Sequence, residues 1–288
     1  MVQQRMKSPA VVLAAVVVCA AAACGDESDN GGATTSAGAS TSGSGGAAGG
    51  VSSTGGATTS SSTGGGGAAG AGGSASSAVY HEVGGLVAVE AEHFDTNDDL
   101  GTPRAWHLSS TTVDPAVTPD PDEIHADSAS GSAYMEGLPD TRVTDSDPIQ
   151  EGVSIYNNVG TGPTLSYRVY FDDPGTYYVW VRAYSTGTED NGIHAGIDAT
   201  WPATGERVQF CSGKNQWTWS SAQRDSGSPP SSCGVPNTIT LDVPTAGEHV
   251  IAFSMREDGF EFDKWIMTTD AGYVPSGEGP PEVEYTGN

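Results

Sequence analysis

Met255-Arg256-Glu257-Asp258-Gly259-Phe260-Glu261-Phe262-Asp263-Lys264-Trp265-Ile266-Met267 decides how this chain is read. An apolar run from His249 to Met255 leads in and Phe262 to Thr268 leads out, so two strands flank Glu257-Asp258-Gly259. Asp-Gly between apolar runs predicts a tight hairpin, because Gly accepts the positive φ that such turns need. The charge density is unusual: Arg256, Glu257, Asp258, Glu261 and Asp263 crowd a turn flanked by Phe, Trp and Met. Far upstream, Val89-Glu90-Ala91-Glu92 carries two carboxylates on one side of an otherwise apolar strand, since alternate residues share a face. A fold that sets these two strands side by side gathers carboxylates in one place.

Working outward, Leu165-Ser166-Tyr167-Arg168-Val169-Tyr170-Phe171 alternates inward Leu, Tyr, Val and Phe with outward Ser, Arg and Tyr. Thr176 to Tyr184 is a second long strand after the Asp173-Pro174-Gly175 turn. Shorter strands follow at Ile193 to Ile197 and Val208 to Phe210, and Thr238 to Val243 precedes the Pro244-Thr245-Ala246-Gly247 turn. Tyr134-Met135-Glu136 is another short strand, whereas Asp95 to Asp127, rich in Asp, Pro, Thr and Ser, reads as surface loops. No segment keeps a helical period with caps. Short strands separated by Gly/Pro turns predict an all-β sandwich or barrel over residues 79–270, with a loose tail over 271–288.

The chain has 288 residues, 36 acidic against 11 basic, for a net charge of −25. That balance argues against nucleic acid, which needs a basic footprint, and disfavours polyanionic partners while leaving room for divalent cations. Residues 1–23 read as an export segment: Arg5 and Lys7 start it, Ala10 to Ala23 is its apolar run, and the run is too short for a permanent span. Ala21-Ala22-Ala23-Cys24 resembles a bacterial lipobox, with Ala where Leu is usual, so Cys24 is the expected lipidation site and plain secretion the alternative. Residues 24–78 are dominated by Gly, Ser, Ala and Thr, which bury too little apolar surface to offset ordering entropy; a disordered tether is expected. Two cysteines remain, Cys211 and Cys233. In an exported chain such a pair reads most simply as a disulfide worth roughly 3 kcal/mol in the chain-entropy picture. Metal ligation is the alternative, and it lacks a third soft ligand nearby.

With the strands placed, a family pattern emerges. Val89-Glu90-Ala91-Glu92-His93-Phe94 resembles the opening strand of family 6 and family 35 carbohydrate-binding modules. It is closer still to the C-terminal module of glycoside hydrolase family 115 α-glucuronidases. Leu138-Pro139-Asp140-Thr141, Tyr177-Tyr178-Val179-Trp180-Val181-Arg182, Asp190-Asn191-Gly192-Ile193-His194, Trp217-Thr218-Trp219 and Met255 to Lys264 fit the same pattern in order. The resemblance implies a galactose-binding-like jelly roll, a structural calcium and a sugar-binding role. It assigns Glu90, Glu92 and Asp263 to the calcium. Those modules often carry a sugar-contacting Asn two positions before that Asp; Glu261 stands there in this chain.

Each candidate also has a plainer reading. Calcium takes six to eight oxygens, which Glu90, Glu92, Asp263 and backbone carbonyls could supply; otherwise the two Glu face solvent or pair with Arg168 or Arg256. Trp217 and Trp219 flank one Thr in a polar loop, and an extended segment turns both rings to one side as a platform for sugar C–H faces. The alternative for either is core packing. Asn191, His194, Arg256 and Glu261 can bond sugar hydroxyls or a uronic acid, or be a turn Asn, a structural His and a local ion pair. Paired acids are also glycosidase hardware, yet nothing in the sequence fixes their separation. The expected protein is a lipid-anchored cell-envelope module that binds a polysaccharide or glycan without catalysis. An envelope protein-interaction module and a glycan-active hydrolase or lyase are the alternatives.

Overall fold

The computed structural model describes residues 75–224 and 234–287. The export segment, Cys24, the tether up to residue 74 and Cys233 lie outside the described residues. The described strands are β1 (Tyr80–His81), β2 (Leu86–Glu90), β3 (Thr96–Asp98), β4 (Ala105–Ser110), β5 (Ala133–Leu138), β6 (Thr164–Phe171), β7 (Gly175–Tyr184), β8 (Gly192–Ile197), β9 (Val208–Gln209), β10 (Thr218–Ser220), β11 (Thr240–Val243), β12 (Gly247–Met255) and β13 (Glu261–Thr268). They form two sheets. In one, β6 lies between β12 and the pair β1 and β3, and β8 and β9 continue beyond β12. In the other, β7 and β13 are central, flanked by β10 and β11 on one side and by β2, β5 and β4 on the other. The protein is an all-β sandwich, and most successive strands switch sheets in the manner of a jelly roll.

The expected hairpin at Glu257-Asp258-Gly259 is instead an arch between sheets. β12 pairs with β6 and β8, while β13 pairs with β2, β5 and β7. Asp173-Pro174-Gly175 and Pro244 to Gly247 are arches for the same reason, because the strands they join face each other across the core. Crossing lets both ends of the turn point inward: Met255, Phe260 and Phe262 are all fully buried. The charged side chains carried in with them have partners, although Arg256 Nε and Asp258 Oδ1 make no hydrogen bond. Arg256 meets Glu257, whose other oxygen accepts from the Asn191 N–H at 2.8 Å. Asp258 accepts from Arg104 Nε and Nη2 at 3.1 and 2.9 Å and from the Thr141 hydroxyl at 2.8 Å. Gly259, at φ 72°, packs on Asp140, where a Cβ would lie 2.7 Å from the carboxyl carbon.

The strand β6 alternates as expected, with Leu165, Tyr167, Val169 and Phe171 buried. The stretch expected to be loops contains β3 and β4, and Trp106 of β4 is fully buried with its indole N–H on the Pro163 carbonyl at 2.9 Å. Trp265 also lies in the core, Trp180 is buried on the outer face of its sheet, and Trp201 is half-buried against Gly160 and Gly196.

The tail is docked rather than loose. Gly277 accepts from the Trp219 indole at 2.9 Å, and Glu282 accepts from the Glu90 N–H at 2.6 Å and meets His93 Nδ1 at 2.9 Å. Tyr285 stacks on Tyr170 with centroids 4.0 Å apart.

Candidate functional site

Inner residues of β7 and β13, including Val179, Val181, Ala183, Phe262 and Trp265, belong to the core. Their alternates therefore project from the other side of the sheet. On that outer face the registers align His107 of β4 with Glu136 of β5, Glu136 with Glu261 of β13, and Glu261 with Tyr184 of β7. Trp217 continues the row: it precedes Thr218, the partner of Ala183, and its ring lies 5.5 Å from that of Tyr184 at 70°. Five elements thus deliver one lateral row of chemistry-bearing side chains.

Residues 111–132 lie over this row. His125 stacks on Tyr184 at 3.7 Å and places Nδ1 2.8 and 3.0 Å from the two Glu261 oxygens. Its carbonyl accepts from the Trp217 indole at 3.2 Å. Ala126 and Ala129 pack against Tyr134 and Trp217. The covered acids lose water. Glu136, reached by the Ser109 hydroxyl at 2.8 Å, is raised to about 9 by burial and by Glu261. Burial, then Asp122, Asp190 and Asp120, holds Glu261 well above the carboxylate range, while burial lowers His125. Burial thus disfavours the charged form of both partners in this contact.

One turn of pleat away, the expected acidic junction is present. Glu90 of β2 pairs with Lys264 of β13, and the Ala91 N–H donates to the Asp263 carbonyl at 2.9 Å. A bulge between Phe262 and Lys264 turns Asp263 and Lys264 to the same side. Asp263 accepts from the Ser130 N–H at 2.8 Å and from Arg182. Glu90 Oε1 accepts from Lys264 Nζ at 2.6 Å and from the Ser130 hydroxyl at 2.7 Å. Burial raises Glu92 to about 8 and Asp263 to about 7, with Arg182 opposing the second shift.

Does this junction fit a calcium ion? Glu90 Oε2 and Glu92 Oε2 are buried without a hydrogen-bond partner. Against them, both Asp263 oxygens are engaged and an ammonium sits on Glu90. Among the described residues no group of three acidic, His or Cys side chains is arranged to hold a metal. Two free oxygens beside a lysine do not fit an ion that takes six to eight.

The other expected sugar contacts separate. Trp217 and Glu261 both belong to the row, on either side of Tyr184. Trp219 is half-buried on the same side, against Trp180, Ile266 and Tyr273. It forms one wall of a cleft of about 210 Å³ with Ser212, Ser220, Ser221 and Asn237 on its lining. Asn191 and Arg256 are buried around Glu257. His194 is fully buried, its ring nitrogens meeting the Tyr156 carbonyl at 2.9 Å and the Arg207 N–H at 3.0 Å. With no exposure and both ring nitrogens engaged, it is an internal tie rather than a sugar contact, and burial lowers it to about 4. Sequence reasoning missed Tyr184, His125, Glu136 and His107. Only the outward position of Tyr184 in its alternating strand pointed to one of them.

Residues 79–282 match the family described as the glycosyl hydrolase family 115 C-terminal domain. The chain belongs to that family. Uncharacterized protein P23 of Formosa agariphila is 50% identical over 212 residues, covering 73% of this chain and 50% of P23, so the chain spans about half the length of that relative. Similarity extends to a family 35 carbohydrate binding module from Clostridium thermocellum, at 11% identity and TM-score 0.33, over 63% of this chain and 96% of that one. It extends also to the C-terminal family 6 module of LamC from Zobellia galactanivorans, at 14% and 0.32, over 64% and 99%. Membership of the family 115 C-terminal domain gives the chain a glycan-related role.

Proposed function

We propose that this family 115 C-terminal domain binds a polysaccharide along the edge strand β10 and does not cleave it. The observation that carries this reading is the placement of Trp217 and Trp219. Both stay half-exposed on one side of β10, and the cleft beside Trp219 adds hydroxyl and amide groups to an aromatic wall. Apolar ring faces with a few polar groups at the margin suit a sugar, whose C–H face stacks while its hydroxyls are oriented. The paired acids do not support catalysis: Glu136 and Glu261 are only 3% and 1% exposed, which leaves a glycosidic bond no approach to either. Tethering to the cell envelope through a lipid on Cys24 belongs to the same proposal and rests on the sequence alone.

A glycan array with the full chain tests it. The expected result is retention of one glycan class, no released product, and at least tenfold weaker retention by Trp219→Ala and by Trp217→Ala, each folded by circular dichroism. Product release abolished by Glu136→Gln would establish the enzyme alternative. An absent glycan signal with a co-purifying envelope protein would establish the interaction alternative.

A further inference from the structure

We infer that this chain carries its own cation where its resemblance to sugar-binding modules calls for calcium: Lys264, with Arg182, holds the junction of the first and last strands together without a metal. Three carboxylates gather there, on Glu90, Glu92 and Asp263, and two cationic side chains meet two of them, Lys264 on Glu90 and Arg182 on Asp263. Lys264 is only 3% exposed, and a buried ammonium persists only where acceptors surround it. Its acceptors are Glu90 Oε1 at 2.6 Å and the Ser130 hydroxyl at 3.4 Å. The bulge between Phe262 and Lys264 is the device that places it. Without that extra residue, Asp263 and Lys264 would point to opposite faces, and the ammonium would leave the acids. Ser130 completes the arrangement from the covering segment. Its N–H donates to Asp263 at 2.8 Å and its hydroxyl to Glu90 at 2.7 Å, which ties both strands to one residue. A divalent ion entering this space would have to displace the ammonium from Glu90 and the guanidinium from Asp263, and it would meet their repulsion until it did.

The test is thermal unfolding of the full chain in chelator and in millimolar calcium, with calcium titration by calorimetry. The wild type is expected to melt within about 1 °C in both solutions and to give no calcium binding heat. Lys264→Met leaves Glu90 buried without its cation, so in chelator it is expected to lose on the order of 10 °C. Calcium should restore several degrees of that, because the variant frees carboxylate oxygens and removes the competing charge. Lys264→Arg keeps the charge and is expected to stay calcium-independent. If Lys264→Met is unfolded in chelator, refolding on adding calcium supports the inference and failure to refold overturns it. A rise of more than about 3 °C for the wild type in calcium, or Lys264→Met melting like the wild type in chelator, also overturns it.

Discussion

Glu136 offers the sharpest test of the covered row. It is 3% exposed, accepts one hydrogen bond from Ser109 and faces another acid, Glu261, across the ladder. Burial first, and Glu261 second, raise it from an ordinary value to about 9. The folded chain therefore keeps a proton that the unfolded chain releases. That contribution to stability is complete below the unfolded value, near 4.5, and is lost as the pH climbs towards about 9. Between those limits one such group lowers the unfolding free energy by about 1.4 kcal/mol per pH unit. Across about three pH units, from roughly pH 5 to roughly pH 8, the ceiling is about 4 kcal/mol. Glu92, Asp140 and Asp263, raised to about 8, 7 and 7, slope in the same direction. Glu136→Gln keeps the shape and an acceptor for Ser109 but carries no titrating proton. Urea unfolding followed by tryptophan fluorescence at four pH values should show the variant equal or slightly weaker near pH 5 and clearly stronger near pH 8. Its slope against pH should be smaller by about one proton. Parallel wild-type and variant lines would falsify the reasoning, because they would mean that Glu136 is already ionised in the folded chain.

Further outcomes follow from the arches and the tail. Gly259→Ala puts a side chain at φ 72° against Asp140, and a loss of about 3 kcal/mol in urea is expected. Arg104→Met leaves Asp258, which is 0% exposed, without its guanidinium. The expected cost is about 3–5 kcal/mol, and an unchanged urea midpoint would show that Thr141 alone suffices. Glu282→Ala removes the acceptor of the Glu90 N–H and the partner of His93. Hydrogen exchange should rise over residues 276–285 while β6 and β12 stay protected, and equal protection of the tail would show that Glu282 does not pin it.

Much of the sandwich is visible in local pattern. Leu165, Tyr167, Val169 and Phe171 alternate because one face of β6 is wet and the other is core, and that period is local information. The nearness of Glu90 to Asp263 is foreshadowed by a chemical oddity, acids in otherwise apolar strands. Asp258-Gly259 is a different case. A positive φ at Gly reverses the chain whether the next strand pairs with the last or crosses to the opposite sheet. What decides between them is the distant partners of each strand, β6 and β8 for β12 against β2, β5 and β7 for β13. The row from His107 to Trp217 depends on registers between five elements, and no single segment encodes those. β4 was hidden because Ala105-Trp106-His107-Leu108 is a short run inside an Asp- and Pro-rich stretch. The tail was hidden because Pro and Gly look alike whether a segment is free or laid against Trp219; Gly279, at φ 76°, sits where a Cβ would come within 2.9 Å of that ring.

The pairing of Tyr80 with Glu284 has a topological consequence. Tyr285 donates its N–H to the Val79 carbonyl at 2.7 Å, and His81 donates to Val283 at the same distance, so the incoming and outgoing segments already form an antiparallel ladder. Residue 285 lies opposite residue 79, where a two-residue Asn-Gly connection could join those two positions as a hairpin loop. The body could then be drawn as a closed ring of polypeptide and reopened at another surface loop, which would give a circular permutant with the same sandwich and differently placed ends.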